Sequence, residues 1–210
     1  MLAVAYRTIV AGNDGKDFAK RDRHLRRSMQ RGATQSLLRD LLEREAGDCA
    51  ASWRLIEKAD GKPILESYGP SVIDVSLSHS GWLAAAAITD LGMIGVDIEY
   101  RAPKRSISGI AAYAFGSGEK RAVETGGLEA FYRIWTLREA LAKAMGIGFP
   151  MLADQHDYFA EAPASGEWQS IIDGNRWHFF ADELPGEYAV AIAIAPTVSI
   201  GPGLTIRKFE

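Results

Sequence analysis

Apolar and polar residues recur with two different periods along this chain, and the period changes from segment to segment. Four leucines between positions 37 and 42 recur at helical spacing, which predicts an amphipathic helix over residues 36–46. Ile73, Val75 and Leu77 alternate with polar neighbours and predict a half-buried strand, and further strands are predicted over residues 53–57, 82–89 and 93–100. Glycine, proline and aspartate between these segments predict turns at residues 60–63 and 90–92.

The second half of the chain repeats the outline of the first. Helices are predicted over residues 117–125 and 128–145, and strands over residues 168–172, 177–181 and 188–195, with residues 198–209 as a candidate edge strand. Each half therefore combines a helix with antiparallel strands, which is an α+β pattern. We predict an N-terminal lobe over residues 1–101, a C-terminal lobe over residues 106–210 and a linker at residues 102–105.

Composition narrows the class of protein. The chain has 210 residues, enough for one large domain or two small ones. Its single cysteine, Cys49, excludes an internal disulfide framework and favours a reducing compartment, so we expect a cytoplasmic protein. No apolar run approaches the roughly 18 residues that span a bilayer, and the N-terminal segment lacks the charged region of a signal peptide.

A net charge of −3 argues against non-specific binding to nucleic acid, yet positive charge is concentrated near the N-terminus. This basic segment contains Lys16, Lys20, Arg21, Arg23, Arg26, Arg27 and Arg31. Two interpretations stay open for it. It is either a solvated basic stretch or a patch that attracts a phosphorylated ligand or an acidic protein.

Two acidic residues stand two positions apart on a predicted strand. Because alternate strand residues share a face, Asp97 and Glu99 point the same way while Val96 and Ile98 face the core. Two neighbouring carboxylates repel each other unless a cation lies between them. The pattern is equally that of a strand with a polar outer face, so the pair alone does not establish a metal site.

A second cluster follows on a predicted helix. Trp135, Glu139 and Lys143 are spaced by four residues and therefore line one side of it. With Asp97 and Glu99, they offer three carboxylates and one lysine to a single site, and three oxygen donors suit Mg²⁺. An exposed Glu–Lys pair is the alternative interpretation, although a large tryptophan ring at its head argues against a plain solvent-facing surface.

A histidine among hydroxyls is the third feature. In Ser78-His79-Ser80-Gly81 the histidine lies at a strand end next to a glycine, where it can approach a phosphate closely. A capped turn with a hydrogen-bonded histidine is the alternative. A Ser-His-Asp hydrolase is disfavoured because no Gly-x-Ser-x-Gly elbow is present and adjacent strand residues point apart.

Four blocks together resemble the Sfp-type 4′-phosphopantetheinyl transferase family. They are Gly61-Lys62-Pro63, Ser78-His79-Ser80-Gly81, Gly95-Val96-Asp97-Ile98-Glu99 and Trp135-Thr136-x-x-Glu139-Ala140-x-x-Lys143. The blocks follow the family's order over residues 60–150, and the last two are its most specific signature. The chain departs from the family at Arg138, where a lysine is usual, and near Gln35 and Ser36, where the family often has an arginine.

The resemblance implies a pseudo-dimer of two similar α+β lobes, each with a helix packed on a small antiparallel sheet. It implies coenzyme A in the cleft between them and Mg²⁺ held by Asp97, Glu99 and Glu139. The coenzyme-binding residues it implies are Lys62, Pro63, Ser78, His79, Lys143 and Arg31. Glu139, Lys143 and His79 are the implied catalytic residues.

The activity implied by the resemblance is Mg²⁺-dependent transfer of the 4′-phosphopantetheine arm of coenzyme A to a serine of an apo acyl or peptidyl carrier protein. This is a holo-[acyl-carrier-protein] synthase activity, performed by a monomer without a nucleic-acid or membrane partner. Two alternatives stay open. One is a non-catalytic relative that binds coenzyme A or a carrier protein, and the other is a Mg²⁺-dependent nucleotide hydrolase.

Overall fold

The structure is a computed structural model that describes residues 1–9, 23–45, 53–57, 61–67, 72–101, 106–148, 153–197 and 206–209, the last four as backbone only. The predicted linker at residues 102–105 lies outside these ranges, as do Lys16, Lys20 and Arg21 of the basic segment.

Ten strands and three helices are formed by the described residues. In chain order they are β1 (Leu2–Thr8), α1 (Arg23–Glu45), β2 (Trp53–Glu57), β3 (Pro63–Ser67), β4 (Asp74–Ser80), β5 (Leu83–Thr89), β6 (Gly92–Tyr100), α2 (Ile107–Ala114), α3 (Ser117–Met145), β7 (Gly166–Ile172), β8 (Asn175–Leu184), β9 (Tyr188–Pro196) and β10 (Ile206–Phe209). None of the described helices is both long enough and apolar enough to cross a membrane.

Two four-stranded sheets carry the fold. The first has the order β10-β1-β5-β4, in which β10 runs parallel to β1 and the other pairs are antiparallel. The second is fully antiparallel with the order β6-β9-β8-β7. A two-stranded sheet, β2-β3, stands beside them. The mixture of helices and antiparallel strands confirms the α+β prediction.

The two large sheets pack face to face, and each carries a helix on its outer face. Leucines of α1 pack on the first sheet against alternate residues of β5, and α3 packs on the second sheet against alternate residues of β9. The other faces of both sheets form a third cluster between them, with Val96 and Ile98 of β6 inside it. Because β5 is buried on both faces, it has a run of alanines, whereas a half-exposed strand would alternate between apolar and polar residues.

The sheets exchange strands across the predicted lobe boundary. Strand β6, which precedes residue 102, pairs with β9 of the second sheet, whereas β10 at the other end of the chain pairs with β1 of the first. The boundary between sheets therefore does not coincide with the boundary between residues 1–101 and 106–210.

The predicted helices and strands are present among the described residues, and residues 198–205 of the candidate edge strand lie outside them. Some elements are longer than predicted, and others were not predicted. Helix α1 begins at Arg23 instead of residue 36. Leu25, Met29 and Ala33 continue the four-residue spacing of Leu37 into this basic first half, and the prediction did not use that signal. Strand β3 was missed because Pro63 reads as a turn residue, although proline is tolerated as the first residue of a strand. Strand β1 and helix α2 were not predicted. The two helices predicted over residues 117–145 correspond to the two parts of α3, which Gly127 interrupts at a positive φ of 60°.

Candidate active site

A ladder of side chains joins the two sheets where β4 lies beside β6. Alternate residues of β4 accept hydrogen bonds from alternate backbone N–H groups of β6, at 2.7 to 3.2 Å. The pairs are Asp74 with Ile94, Ser76 with Val96, Ser78 with Ile98 and Ser80 with Tyr100. Short hydroxyl side chains thus replace backbone pairing between these strands, and they bring His79 next to the acidic face of β6.

Close approach of α3 to β6 completes the site. A Cβ atom placed on Gly95 would overlap the carbonyl oxygen of Ala140 and lie 2.6 Å from the amide nitrogen of Ala144. The absence of a side chain at this position lets the helix lie directly on the strand. Because Gly95, Asp97 and Glu99 share one face of β6, the acidic pair is brought under the helix that carries Glu139 and Lys143.

A cavity of about 430 Å³ lies at this junction. Its lining includes every site residue predicted from the sequence except Lys62, namely Arg31, Pro63, Ser78, His79, Asp97, Glu99, Glu139 and Lys143. Three carboxylates, one arginine and one lysine therefore face one space that joins α1, β4, β6 and α3.

Asp97 is the most buried of the three carboxylates, with 5% of its surface exposed. Its Oδ1 atom accepts hydrogen bonds from Lys143 Nζ at 2.7 Å and Ser78 Oγ at 2.9 Å. Lys143 also donates to the Ser78 hydroxyl at 2.9 Å and to the carbonyl oxygen of Val96 at 3.2 Å. The other carboxylate oxygen, Oδ2, is buried and has no hydrogen-bond partner among the described residues.

Glu99 is held differently, by two neutral donors. Its Oε1 atom accepts the indole N–H of Trp135 at 3.2 Å, and its Oε2 atom accepts the hydroxyl of Ser80 at 2.9 Å. Both oxygens of the carboxylate therefore accept a hydrogen bond from a neutral donor.

The donor set fits a hard divalent cation. The orphaned Asp97 Oδ2 atom is a buried oxygen that lacks a donor, and two more carboxylates line the same cavity. As the side chains stand, no three acidic, histidine or cysteine residues of the described ranges are grouped tightly enough to hold an ion. Mg²⁺ often binds through one or two carboxylates together with water and substrate phosphates, so this spacing does not test the predicted site. The metal role of Asp97, Glu99 and Glu139 stays a prediction.

His79 is exposed to the cavity, and its environment favours the neutral ring. Loss of hydration among its packed neighbours is the largest cause that lowers the pKa of His79, and the charge of Lys143 lowers it further. Arg31 acts in the same direction, whereas Asp97 opposes it. The lowered pKa therefore favours the neutral imidazole at pH 7.

Lys62 does not line the cavity. Its ammonium group donates to Asp74 Oδ2 at 2.7 Å and to the carbonyl oxygen of Ala144 at 2.8 Å, near the C-terminus of α3. A cation at that position satisfies a terminal carbonyl and the helix dipole. In this structure Lys62 fastens α3 to the first sheet, and the predicted contact with coenzyme A stays untested.

Arg138 faces away from the cavity, although it precedes Glu139 in the chain. It is fully buried and forms an ion pair of 2.6 Å with Glu119, which is fully buried as well. Its guanidinium group also donates to the carbonyl oxygen of His156 and lies over the rings of Phe115 and Tyr158. The departure from the family's usual lysine therefore falls in the core, not in the site.

Three contributors to the site were not assigned a role from the sequence. Gly95 sets the distance between β6 and α3, Ser80 holds Glu99, and Trp135 donates to the same carboxylate. The serines at alternate positions of β4 could have indicated the contact with β6, because regularly spaced hydroxyl groups along a strand can accept hydrogen bonds from the backbone of a neighbouring strand. The hydrogen bond from Trp135 to Glu99 was not predictable, because it depends on how closely α3 packs on β6, and these elements are far apart in the sequence.

Replacing Gly95 with alanine should destabilise the fold by about 1–3 kcal/mol or more, because the added methyl group meets helix backbone that cannot rotate aside. Urea unfolding would measure the loss. Gly32→Ala is the matched control: it lies within α1 with nothing near its Cβ position, so the same change should stabilise the protein by about 0.5–1 kcal/mol. Equal effects at both positions would contradict the close contact.

Comparison with known proteins agrees with the site. Residues 93–193 match the family model described as the 4′-phosphopantetheinyl transferase superfamily. The chain is 37% identical over 90 residues to the 4′-phosphopantetheinyl transferase AcpT of Salmonella typhimurium, a match that covers 41% of this chain and 46% of the relative. It is 32% identical over 129 residues to the 4′-phosphopantetheinyl transferase HetI of Nostoc sp., covering 59% of this chain and 53% of the relative.

A third relative is the 4′-phosphopantetheinyl transferase AcpT of Escherichia coli strain K12, at 34% identity over 96 residues, which covers 44% of this chain and 48% of the relative. The chain thus spans about half the length of these relatives. The matched segment contains β6 and α3, and with them Asp97, Glu99, Glu139 and Lys143. Residues 93–193 therefore resemble the 4′-phosphopantetheinyl transferase superfamily, which confirms the resemblance predicted from the motifs.

Proposed function

We propose that this protein transfers the 4′-phosphopantetheine arm of coenzyme A to a serine of an apo acyl or peptidyl carrier protein, in a Mg²⁺-dependent reaction. One observation carries the proposal. Within the segment that matches the superfamily, a buried aspartate with an orphaned oxygen lines a cavity together with two further carboxylates and a lysine, and His79, outside that segment, lines the same cavity. Such a mixture of acids and bases suits a charged phosphate ester and its counter-ion.

The basic and the acidic side chains of the cavity have different parts in binding the pyrophosphate of coenzyme A. Lys143 and Arg31 supply positive charge, and His79 adds a third donor when it takes up a proton. Asp97, Glu99 and Glu139 are the residues that would hold Mg²⁺, which supplies Lewis-acid neutralisation of phosphoryl oxygens when bound. The adenosine end is assigned to the side of the cavity formed by Pro63 and the neighbouring residues of α1.

In the transfer step the carrier serine Oγ attacks the β-phosphorus of coenzyme A. A new phosphorus–oxygen bond forms, the bond to the α,β-bridging oxygen breaks, and adenosine 3′,5′-bisphosphate leaves with the bond's electron pair. The serine proton passes to a base, and Glu139 is the candidate acceptor because it lines the cavity and is half-buried. Lys143 offsets the charge that develops on the phosphoryl group, so catalysis rests on positioning and electrostatics.

The structure bears on one of the rival functions. Arg138 was a reason to consider a non-catalytic relative, and its burial against Glu119 places that substitution outside the cavity. The hydrolase alternative uses the same carboxylates and differs only in the acceptor, which would be water. We also propose, as the resemblance implies, that the two helix-on-sheet units are the lobes of a pseudo-dimeric monomer. From the single cysteine, we propose that the protein acts in the cytoplasm.

Mass spectrometry of a carrier protein separates these functions. A purified apo carrier is incubated with the protein, coenzyme A and Mg²⁺, and the transferase adds the mass of the arm to the carrier. A hydrolase would instead release nucleotide in the absence of any carrier. A protein that binds coenzyme A while leaving both carrier and coenzyme unchanged would establish the non-catalytic alternative.

His79 predicts a pH dependence of coenzyme A binding. Because its pKa is lowered in the free protein and a bound phosphate raises it, binding takes up as much as about one proton, and affinity increases as the pH falls through the interval between the two values. Isothermal titration in buffers of different ionisation enthalpy measures this uptake. His79→Gln should remove it, and an unchanged proton uptake in His79→Gln would show that another group titrates.

A further inference from the structure

We infer that Trp135 is a positioning residue for Glu99: its indole N–H and the Ser80 hydroxyl together hold the carboxylate in the orientation that meets a cation in the cavity. The inference rests on the function proposed above and adds residues to it. Trp135 is not among the residues that line the cavity, so it acts through Glu99 and not on the ligand itself.

Both oxygens of Glu99 have a fixed donor. The Trp135 indole nitrogen lies 3.2 Å from Oε1, and the Ser80 hydroxyl lies 2.9 Å from Oε2. That hydroxyl also accepts the backbone N–H of Tyr100 at 3.0 Å, so its proton is directed away from the amide and toward the carboxylate. A long glutamate side chain, which would otherwise sample many rotamers, is thereby held at its end.

The chemistry of these donors differs from that at Asp97. Asp97 is paired with the ammonium group of Lys143, which offsets its charge, whereas an indole N–H and a hydroxyl bind a carboxylate without cancelling its charge. The indole and the hydroxyl thus orient Glu99 at the wall of the cavity. Neutral donors around a ligating carboxylate are the arrangement by which proteins orient a metal ligand from outside its coordination shell.

Trp135 is itself fixed by the core. Its ring stacks on Phe131 with 6.0 Å between ring centroids and an interplanar angle of 17°, and Phe131 is completely buried. The indole N–H group can only donate a hydrogen bond, so Trp135 cannot act as a ligand to the cation in place of Glu99. The Trp135 ring is thus held by the apolar cluster under α3, and its N–H group in turn fixes the position of Glu99 on β6.

Trp135→Phe removes the N–H group and keeps a ring that can stack on Phe131. We expect the thermal midpoint to change little, while the affinity of the protein–coenzyme A complex for Mn²⁺, measured by electron paramagnetic resonance, falls about tenfold. Activity should recover at high Mg²⁺, so that the change appears in the Mg²⁺ dependence and not in the maximal rate. Trp168→Phe is the matched control, because Trp168 also stacks on a phenylalanine, at 5.5 Å and 26°, within the second sheet.

A second measurement tests the contact in the metal-free protein. The indole ¹⁵N–¹H signal of Trp135, identified by its loss in Trp135→Phe, should shift in Glu99→Ala while the Trp168 signal stays in place. Ser80→Ala should weaken Mn²⁺ binding in the same direction as Trp135→Phe, and Ser80→Thr, which keeps the hydroxyl, should restore it.

The outcomes separate this inference from the proposed function. Equal Mn²⁺ affinity in wild-type protein and Trp135→Phe would show that the inference is wrong. So would an indole signal of Trp135 that does not shift in Glu99→Ala. Neither result would contradict the proposed function. If wild-type protein with coenzyme A does not bind Mn²⁺ at all, the metal centre of the proposed function fails, and the positioning role fails with it.

Discussion

Asp97→Asn should lower the rate of carrier loading by about 10³-fold while leaving the protein folded, because several kcal/mol of charge stabilisation are lost at the phosphoryl group. The asparagine keeps the shape of the aspartate and can still accept from Ser78 and Lys143. What it removes is the negative charge at the one buried oxygen that has no donor among the described residues. Initial rates of holo-carrier formation at saturating coenzyme A, followed by mass spectrometry, would measure the effect.

The control for this change is Asp182→Asn. Asp182 lies exposed on β8, where its carboxylate accepts the N–H of Glu183 at 2.8 Å, so the same loss of charge occurs outside the cavity. That variant should load the carrier at the wild-type rate. Asp97→Asn with normal turnover at every Mg²⁺ concentration would refute the assigned metal site, whatever its thermal stability.

The local pattern of the sequence was sufficient for the residues that share one element. Alternation along β6 placed Asp97 and Glu99 on one face with Val96 and Ile98 in the core, and the structure has this arrangement. Helical spacing likewise placed Glu139 and Lys143 together on α3. These predictions succeed because the period of a strand or a helix is a property of the backbone and does not depend on the rest of the fold.

Relations between elements were harder to predict. Lys62 belongs to a motif associated with coenzyme A, yet its ammonium group is engaged by Asp74 and the end of α3. The pairing of β6 with β9, across the predicted lobe boundary, likewise depends on which apolar faces meet in space. Neither the length nor the composition of a strand specifies its partner, so the sheet topology had to come from the structure.

Arg138 illustrates a different limit. Its neighbour in the motif faces the cavity, but successive helix residues point about 100° apart, so adjacency in sequence says nothing about a shared site. In the structure Glu119 receives hydrogen bonds from Arg138 at 2.6 Å and from the backbone N–H of Phe159 at 2.9 Å. This buried pair joins the two parts of α3 on either side of Gly127 and ties both to the segment near residue 159.

Arg138→Met should therefore destabilise the protein by about 3–5 kcal/mol, because it leaves the Glu119 carboxylate buried without its partner. Glu119→Gln should have a cost of similar size, since it leaves a buried guanidinium group. The double variant Glu119→Gln, Arg138→Met should cost less than the sum of the two, because neither side chain is then a solitary buried charge. Urea unfolding of all four proteins gives the coupling free energy directly.

The variant Arg138→Lys tests whether residue 138 contributes only to stability or also to coenzyme A binding and carrier loading. Lysine keeps the charge but lacks the planar fork that meets Glu119 and the flat surface that lies over Phe115 and Tyr158. We expect it to lower stability by less than the methionine change and to leave coenzyme A affinity and the rate of carrier loading unaltered. A lysine variant of normal stability with altered coenzyme A affinity would instead place Arg138 in the function of the site, because a residue that acts only through the core must change stability first.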